Sequence, residues 1–524
     1  MSLDIALRNG EVCDGTGGRA SVCDVGISDG TIVAVGRVEG RAAMEIDCRG
    51  LVVAPGFIDI HSHSDYTLVA DPRALSAIHQ GVTTEVIGNC GHGCFPIRDQ
   101  NLAKRIVYGY DGKMPLPWRG PGEYLADLEA SRPAVNVVSL VPNGQLRLAT
   151  MGFADRPADQ NALSEMKKLL AEGLEAGCWG YSTGLEYASE QGADENEITE
   201  LCRIVGKAGA LYATHTRNRD EGAVETVAEA IRTARNAGAQ LQISHLMPRG
   251  GREVTMRCMD LVDEARAKGD PVWFDMHTRL YGFTFLSAML PPWVVMEPPD
   301  RQVAMLGDPD IRARIRSHRS IVTGMNDWSL VYLTDNDTRP DLSRKAFSEI
   351  GERLDQDPFD SAIDIIVDSI KDGQSPMVLL RSYTEDLQAE VFSHHDCVPA
   401  SDAATLGPDG PFAGSAFMGA YTWAAWFYRF MVRDRALMTP AEAIHRLAGK
   451  PARILGLTDR GTIEVGKKAD VVAFDAEAFE ERGTTFEPSQ LAFGMRHVIV
   501  NGVATLLDGV TTEMRAGAVL RRSH

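Results

Sequence analysis

Short apolar runs broken by Gly, Asp and Asn open the chain. ALRNGEVCDGTG, DVGISDGTIVAVG and MEIDCRGLVVAPG follow one another in this way, which predicts short strands joined by turns. The same pattern returns near the other end, in GTIEVGKKADVVAFD and RHVIVNGVAT. Between the two the pattern changes. AVNVVSLV, CWGYSTG, ALYATH, AQLQISH and PVWFDMH alternate with stretches of helical period. ADQNALSEMKKLLAEGLEAG and GAVETVAEAIRTARNAG are the clearest of these, each closing on a glycine suited to a helix C-cap. Strands and helices in alternation build a parallel sheet. The number of units, with polar residues gathering at strand ends, predicts an α/β fold of the (β/α)₈ TIM-like barrel type. Residues 1–55 and 461–524 are expected to meet as a small β-sandwich, with the barrel inserted over 56–460. The segment near 283–345 has no clear period and contains LPPWVVMEPPD, so it is read as an excursion over the barrel mouth. No internal repeat or low-complexity tract interrupts this layout.

Composition narrows the classes. A chain of 524 residues can bury a large core, and 44% hydrophobic with 24% charged residues is ordinary for a globular protein. The net charge of -19 argues against nucleic acid and anionic membranes as partners. No apolar stretch is long enough for a membrane span, and the start MSLDIALRNG lacks a secretory pattern. Nine cysteines without regular spacing are no disulfide framework, and a cytoplasmic location is expected. The expected partner is a small-molecule substrate. The state of assembly, a homo-oligomer included, is left open.

The chemistry concentrates at strand ends. GFIDIHSHSD places His61 and His63 two apart behind an apolar run, and on a strand such residues point to the same side. With Asp59 before them they form a candidate metal pair. His215 in YATHTRN and His245 in QISHLMP each close a strand-like run. One such histidine is more often a hydrogen-bonded polar residue; two on successive strands behind an HxH pair read as ligands, and neutral imidazole suits zinc. Asp402 in CVPASDAATLG is a helix-cap or turn residue taken alone, but a carboxylate there can take a proton from water and return it to a leaving nitrogen. Cys90 in VTTEVIGNCGHGCFP follows a strand in a Gly-flanked turn at the same end, where a thiolate ligates zinc well; Cys94 is a weaker candidate.

Taken with SDGTIVAVG, PGFIDIHSHSD, GVTTEVIGNCG, YSTGLEY, ISH, SDA, PARILGL and GTIEVGKKADVVAFD, the chain resembles the N-acyl-D-amino-acid deacylase branch of the amidohydrolase superfamily nearly end to end. HxH is shared across the superfamily, whereas GNCG with YSTGLEY is particular to the branch. The resemblance implies one tightly bound zinc on Cys90, His215 and His245. It implies a second, weaker site on His61, His63 and Asp402, with Asp402 as general base and acid. Cys90 stands in for the carboxylated lysine of other amidohydrolases, since CWGYSTGLEY contains no lysine. Tyr187 matches a residue near the substrate.

The sequence also departs from the branch, in several cases at residues that contact substrate there. VPNG puts Asn143 where a histidine is usual, and Met247 stands at a lysine position. Thr278 and Arg279 replace a PY pair, and the arginine motif after the aspartate is missing from GPDGPFAGSAFMGAYTW. Arg279, just past a strand end with His277 beside it, is therefore expected to hold a substrate carboxylate; an ion pair with an acid at the barrel rim is the alternative. The expected reaction is hydrolysis of a linear amide C–N bond by metal-activated water, with an N-acyl-D-amino acid as default substrate. Another amide, a carbamate or a cyclic imide is the alternative within enzymes, and a non-catalytic barrel scaffold the alternative outside them.

Overall fold

In the computed structural model, which describes residues 3–104, 106–110, 112, 114–413 and 419–522, eight parallel strands follow one another in sequence order around a barrel. They are β1 (Phe57–Asp59), β2 (Val82–Ile87), β3 (Asn136–Pro142), β4 (Gly180–Gly184), β5 (Leu211–His215), β6 (Gln240–Ile243), β7 (Val272–His277) and β8 (Cys397–Ala400). Every residue of β2 to β5 is buried, as in a parallel sheet covered on both faces. Just past the strand ends a parallel bridge joins Ser62 to Ala403, so the first and last strands meet there. Helices cover the outside. Gln160–Glu175 starts where the Asp159 carboxylate accepts the Ala162 N–H, and it buries Met166, Leu169, Leu170 and Leu174 on one face. Ala223–Ala237 stops at Gly238, whose φ of 66° is left-handed. Among the described residues no helix is long and apolar enough to cross a membrane.

The two chain ends do join, through antiparallel pairing of Val52–Pro55 with Val471–Phe474. Their nine strands are linked by hydrogen bonds into the small β module expected from both chain ends, with Ile5, Leu7, Val25, Val53, Val471 and Ile499 in a core of its own. Leu3–Val12 makes this possible. It pairs with Ser21–Ser28 along one edge, and along the other with Ala42–Asp47 and then Val52–Pro55. The last residues leave this sheet and lie on the barrel, where the Val137 N–H donates to Ala518 and the Leu520 N–H to Val137.

The excursion is longer than the sequence suggested. Tyr281–Phe285 and Val331–Leu333 flank Met377–Arg381 in an antiparallel sheet of three strands. Leu286, Met289, Leu306, Phe347, Ile363 and Ile366 give it a hydrophobic core of its own. Helix Pro358–Lys371 has a strongly amphipathic sequence, indistinguishable by period from a barrel helix, yet it packs into this second core.

Candidate metal centre

All six expected ligands lie at the C-terminal ends of barrel strands, the end that carries active sites in this fold. His215 is the last residue of β5. His61 and His63 follow β1, Cys90 follows β2, His245 follows β6 and Asp402 follows β8. Five of the six are buried, and Asp402 is half-buried. Cys90, His245 and Asp402 sit at φ of 52°, 37° and 44°, a left-handed region that costs a side-chain-bearing residue about 1–3 kcal/mol. Hydrogen bonds hold two of them there: Asp402 N–H donates to the His61 carbonyl at 2.9 Å, and His245 N–H to Asp275 Oδ1 at 2.8 Å.

The ligand atoms form two overlapping groups. Those of His61, His63, Cys90 and Asp402, and those of Cys90, His215 and His245, each lie within 4.8 Å of one another. Cys90 belongs to both, with Sγ 3.2 Å from His61 Nε2 and 3.7 Å from His245 Nε2. Carboxylates behind the ring orient two histidines. His61 Nδ1 lies 3.1 Å from Asp275 and His215 Nε2 2.8 Å from Glu186. A carboxylate only accepts, so those nitrogens carry the proton and the opposite nitrogens are left with lone pairs for an ion. Buried Nδ1 atoms of His63, His215 and His245 have no hydrogen-bond partner among the described residues. Burial raises the Cys90 thiol, and a divalent cation is what would make its thiolate the stable form here. The donor set therefore fits a zinc ion.

Asp402 is shared. His63 Nε2 lies 3.1 Å from Oδ1, and Arg279 Nη2 donates to Oδ2 at 2.6 Å. Burial works to raise this carboxyl, but the Arg279 guanidinium and the His63 hydrogen bond outweigh it and hold it well below the usual carboxylate range. Arg279 also donates to the Ser401, Asp402 and Tyr281 carbonyls. The expectation that Arg279 grips a substrate carboxylate thus meets its alternative: this guanidinium is already turned onto Asp402.

Other candidates fall as follows. Tyr187 and His277 line the cavity above the ligands. Asn143 does not; it begins helix Asn143–Met151, and its Nδ2 donates to Glu190 at 2.7 Å behind the Cys90 turn. Cys94 is buried in the main core, outside either ligand group. Residues 414–418, part of the segment lacking the arginine motif, lie outside the described residues.

Several site residues were not singled out beforehand. Asp275 stands two before His277 on β7, and this alternation is the signal that could have found it. Glu186 precedes Tyr187 in the same loop. Arg249 pairs with Glu186 and Asp220; burial opposes ionisation of Glu186, but Arg249 and His215 outweigh it and hold the carboxyl well below its ordinary value. Arg219, Tyr108 and Tyr383 come from loops and carry no periodic signal.

Two adjoining cavities lie under the excursion. One of about 40 Å³ touches His215, His245, His277, Asp402, Arg219 and Tyr383. The other, about 230 Å³, is lined on its apolar side by Ile106, Val107, Phe153, Phe285, Leu290 and Ile321, and elsewhere by polar groups that include Glu186, Asp220, Arg217 and Arg319. Tyr108, Tyr187, Thr284 and Ile321 border both.

A parallel eight-stranded barrel with a His/Cys/Asp cluster at its C-terminal mouth defines a metal-dependent hydrolase. The model of the amidohydrolase family matches residues 44–315 and 401–505, leaving out much of the excursion. The chain belongs to this family. It is 31% identical over 528 residues to the N-acyl-D-glutamate deacylase of Alcaligenes xylosoxydans xylosoxydans, covering 99% of this chain and 97% of that protein. It superposes on the Bordetella bronchiseptica N-acyl-D-glutamate deacylase, solved with zinc and a phosphonate mimic of the tetrahedral intermediate, with a TM-score of 0.81 at 28% identity, covering 99% and 100% of the two chains. A D-aminoacylase, described by its binuclear metal centre with one-metal activation and second-metal attenuation, gives 0.82 at 27% identity and the same coverage.

Proposed function

We propose that this chain is a zinc-dependent deacylase that hydrolyses the amide bond of an N-acyl-D-amino acid, releasing a carboxylic acid and a D-amino acid. The observation that carries the reading is Cys90 shared between two ligand groups beneath a cavity, in a chain related end to end to N-acyl-D-amino-acid deacylases. Cys90, His215 and His245 would hold the tight ion, and His61, His63 and Asp402 a weaker one. When bound, zinc supplies Lewis acidity that brings the pKa of water toward ~7 and polarises a carbonyl. Asp402, kept ionised by Arg279, takes the proton from the attacking water and delivers it to the leaving nitrogen. Asp275 and Glu186 fix the rings of His61 and His215. The excursion closes the mouth and limits water.

Purified protein should contain about one zinc per chain, and Cys90→Ala should lose both metal and activity, since a thiolate is among three ligands of the strong site. A Cys90→Ala protein with full zinc and full rate would remove that assignment. A screen of N-acyl-D- and N-acyl-L-amino acids, N-acyl amines and cyclic imides tests the reaction; turnover confined to cyclic imides would move the chain to another amidohydrolase activity.

A further inference from the structure

Every cationic side chain on the walls of the two cavities, Arg219 excepted, is matched by a carboxylate. Arg249 is held between Glu186 and Asp220, and Arg279 is on Asp402. Arg217 is on Glu229 and Arg319 on Glu221. Arg219 lies four residues after His215 and is 7% exposed. All its side-chain hydrogen bonds leave from Nη2, and all end on neutral oxygens: the carbonyls of His245 (2.7 Å) and Met247 (3.3 Å) and the hydroxyl of Tyr383 (2.9 Å). Among the described residues no carboxylate pairs with it.

A guanidinium stays charged at any pH a protein survives, and a buried charge with no counter-ion is strongly unfavourable. A site that keeps one is a site for an anion. The walls say where that anion belongs. Arg219 faces the 40 Å³ cavity, which also holds His215, His245 and Asp402 and has room for only a few atoms. In an N-acyl amino acid the carboxylate is one carbon from the scissile nitrogen, so a cation on this small cavity is within its reach. The larger cavity presents Glu186 and Asp220, its two arginines, Arg217 and Arg319, are already paired with Glu229 and Glu221, and Ile106, Val107, Phe153, Phe285 and Leu290 give it an apolar side.

We infer that Arg219 is the residue that binds the substrate's α-carboxylate, with Nε and Nη1 turned to it, and that the acyl group extends into the larger cavity. The inference rests on the N-acyl amino acid reading above. The Met247 carbonyl is one of the groups that hold this arginine in place.

The test is steady-state kinetics on the zinc-loaded enzyme, with the N-acyl-D-amino acid turned over fastest and its neutral carboxamide. Where the carboxamide is turned over too slowly, competitive inhibition constants give the same ratio. Arg219→Met should lower kcat/KM for the acid by about 30-fold or more, mainly through KM, the scale of losing one partner of a buried charge pair. The carboxamide should change by no more than about threefold, with zinc content unchanged, and Arg219→Lys should recover part of the loss. A purely structural role through the His245 and Met247 carbonyls would lower both substrates equally, and that result overturns the inference, as does no loss on either. A wild-type enzyme that hydrolyses no N-acyl amino acid would overturn the proposed function itself, an outcome distinct from equal loss in the variant.

Discussion

At the scale of single residues, the site is governed by how carboxylates are partnered. Asp402 gives one oxygen to His63 and the other to Arg279. Asp402→Asn keeps the size and removes the proton acceptor, so kcat should fall by about 10² to 10⁴ while tight zinc is retained; a rate within twofold of wild type would exclude Asp402 as the base. Glu190, behind the metal turn, shows the opposite balance. Burial pushes its carboxyl up to about 7 from an ordinary 4.5, against the hydrogen bond from Asn143. With the folded value raised, this group's contribution is fully present below 4.5 and is lost as pH rises through about 7. The loss is on the order of 3 kcal/mol by pH 8. Glu190→Gln stays neutral and can still accept from Asn143. It should therefore melt higher than wild type at pH 8 and show no gain near pH 4; a gain at both would mean that ionisation is not the cause.

At the scale of elements, loops just beyond the strands carry the chemistry, and their backbone is constrained. Gly88 has φ of 81°, and an added Cβ would collide with the Leu140 carbonyl. Two residues on, Cys90 is itself left-handed. Gly88→Ala should therefore cost roughly 2 kcal/mol or more and reduce zinc occupancy by displacing Cys90. Metal analysis beside a melting curve checks both parts; full zinc with unchanged stability would show that the turn tolerates a side chain. The excursion makes a different point. Its helices 347–354 and 358–371 have the period of barrel helices, the second with a capping Asp357, and only their packing into the second core assigns them elsewhere.

At the scale of the molecule, the candidate metal centre draws on five barrel strands, and the barrel closes where Asp402 N–H meets the His61 carbonyl. An ion bound there ties β1, β2, β5, β6 and β8 together. A ligand that binds only the folded state stabilises it by mass action, about 4.1 kcal/mol at a thousandfold excess over Kd. Removing the metal with a chelator should lower Tm by several degrees and abolish activity, and stoichiometric zinc should restore both. A Tm indifferent to chelation, in protein shown to have lost its zinc, would mean that the barrel is held without the ion.

The strand–helix alternation, the two β-rich ends and the six candidate ligands that the fold brings together were legible in the sequence. Each is a local signal: an apolar run of defined period, or a His, Cys or Asp closing one. That the two ends meet was expected, but which strands pair there, Val52–Pro55 with Val471–Phe474, was not legible, because pairing between distant segments leaves no local trace. The full extent of the excursion was hidden because amphipathic period records that a helix buries a face and says nothing of what it is buried against. The roles of the arginines were decided only in three dimensions. Arg217, Arg219, Arg249 and Arg279 are alike in sequence, each a cation in a loop just past a strand; tertiary structure gave three of them carboxylates and left Arg219 facing the cavity, because a charge's role depends on which opposite charge comes within hydrogen-bond reach, and the fold alone sets that distance.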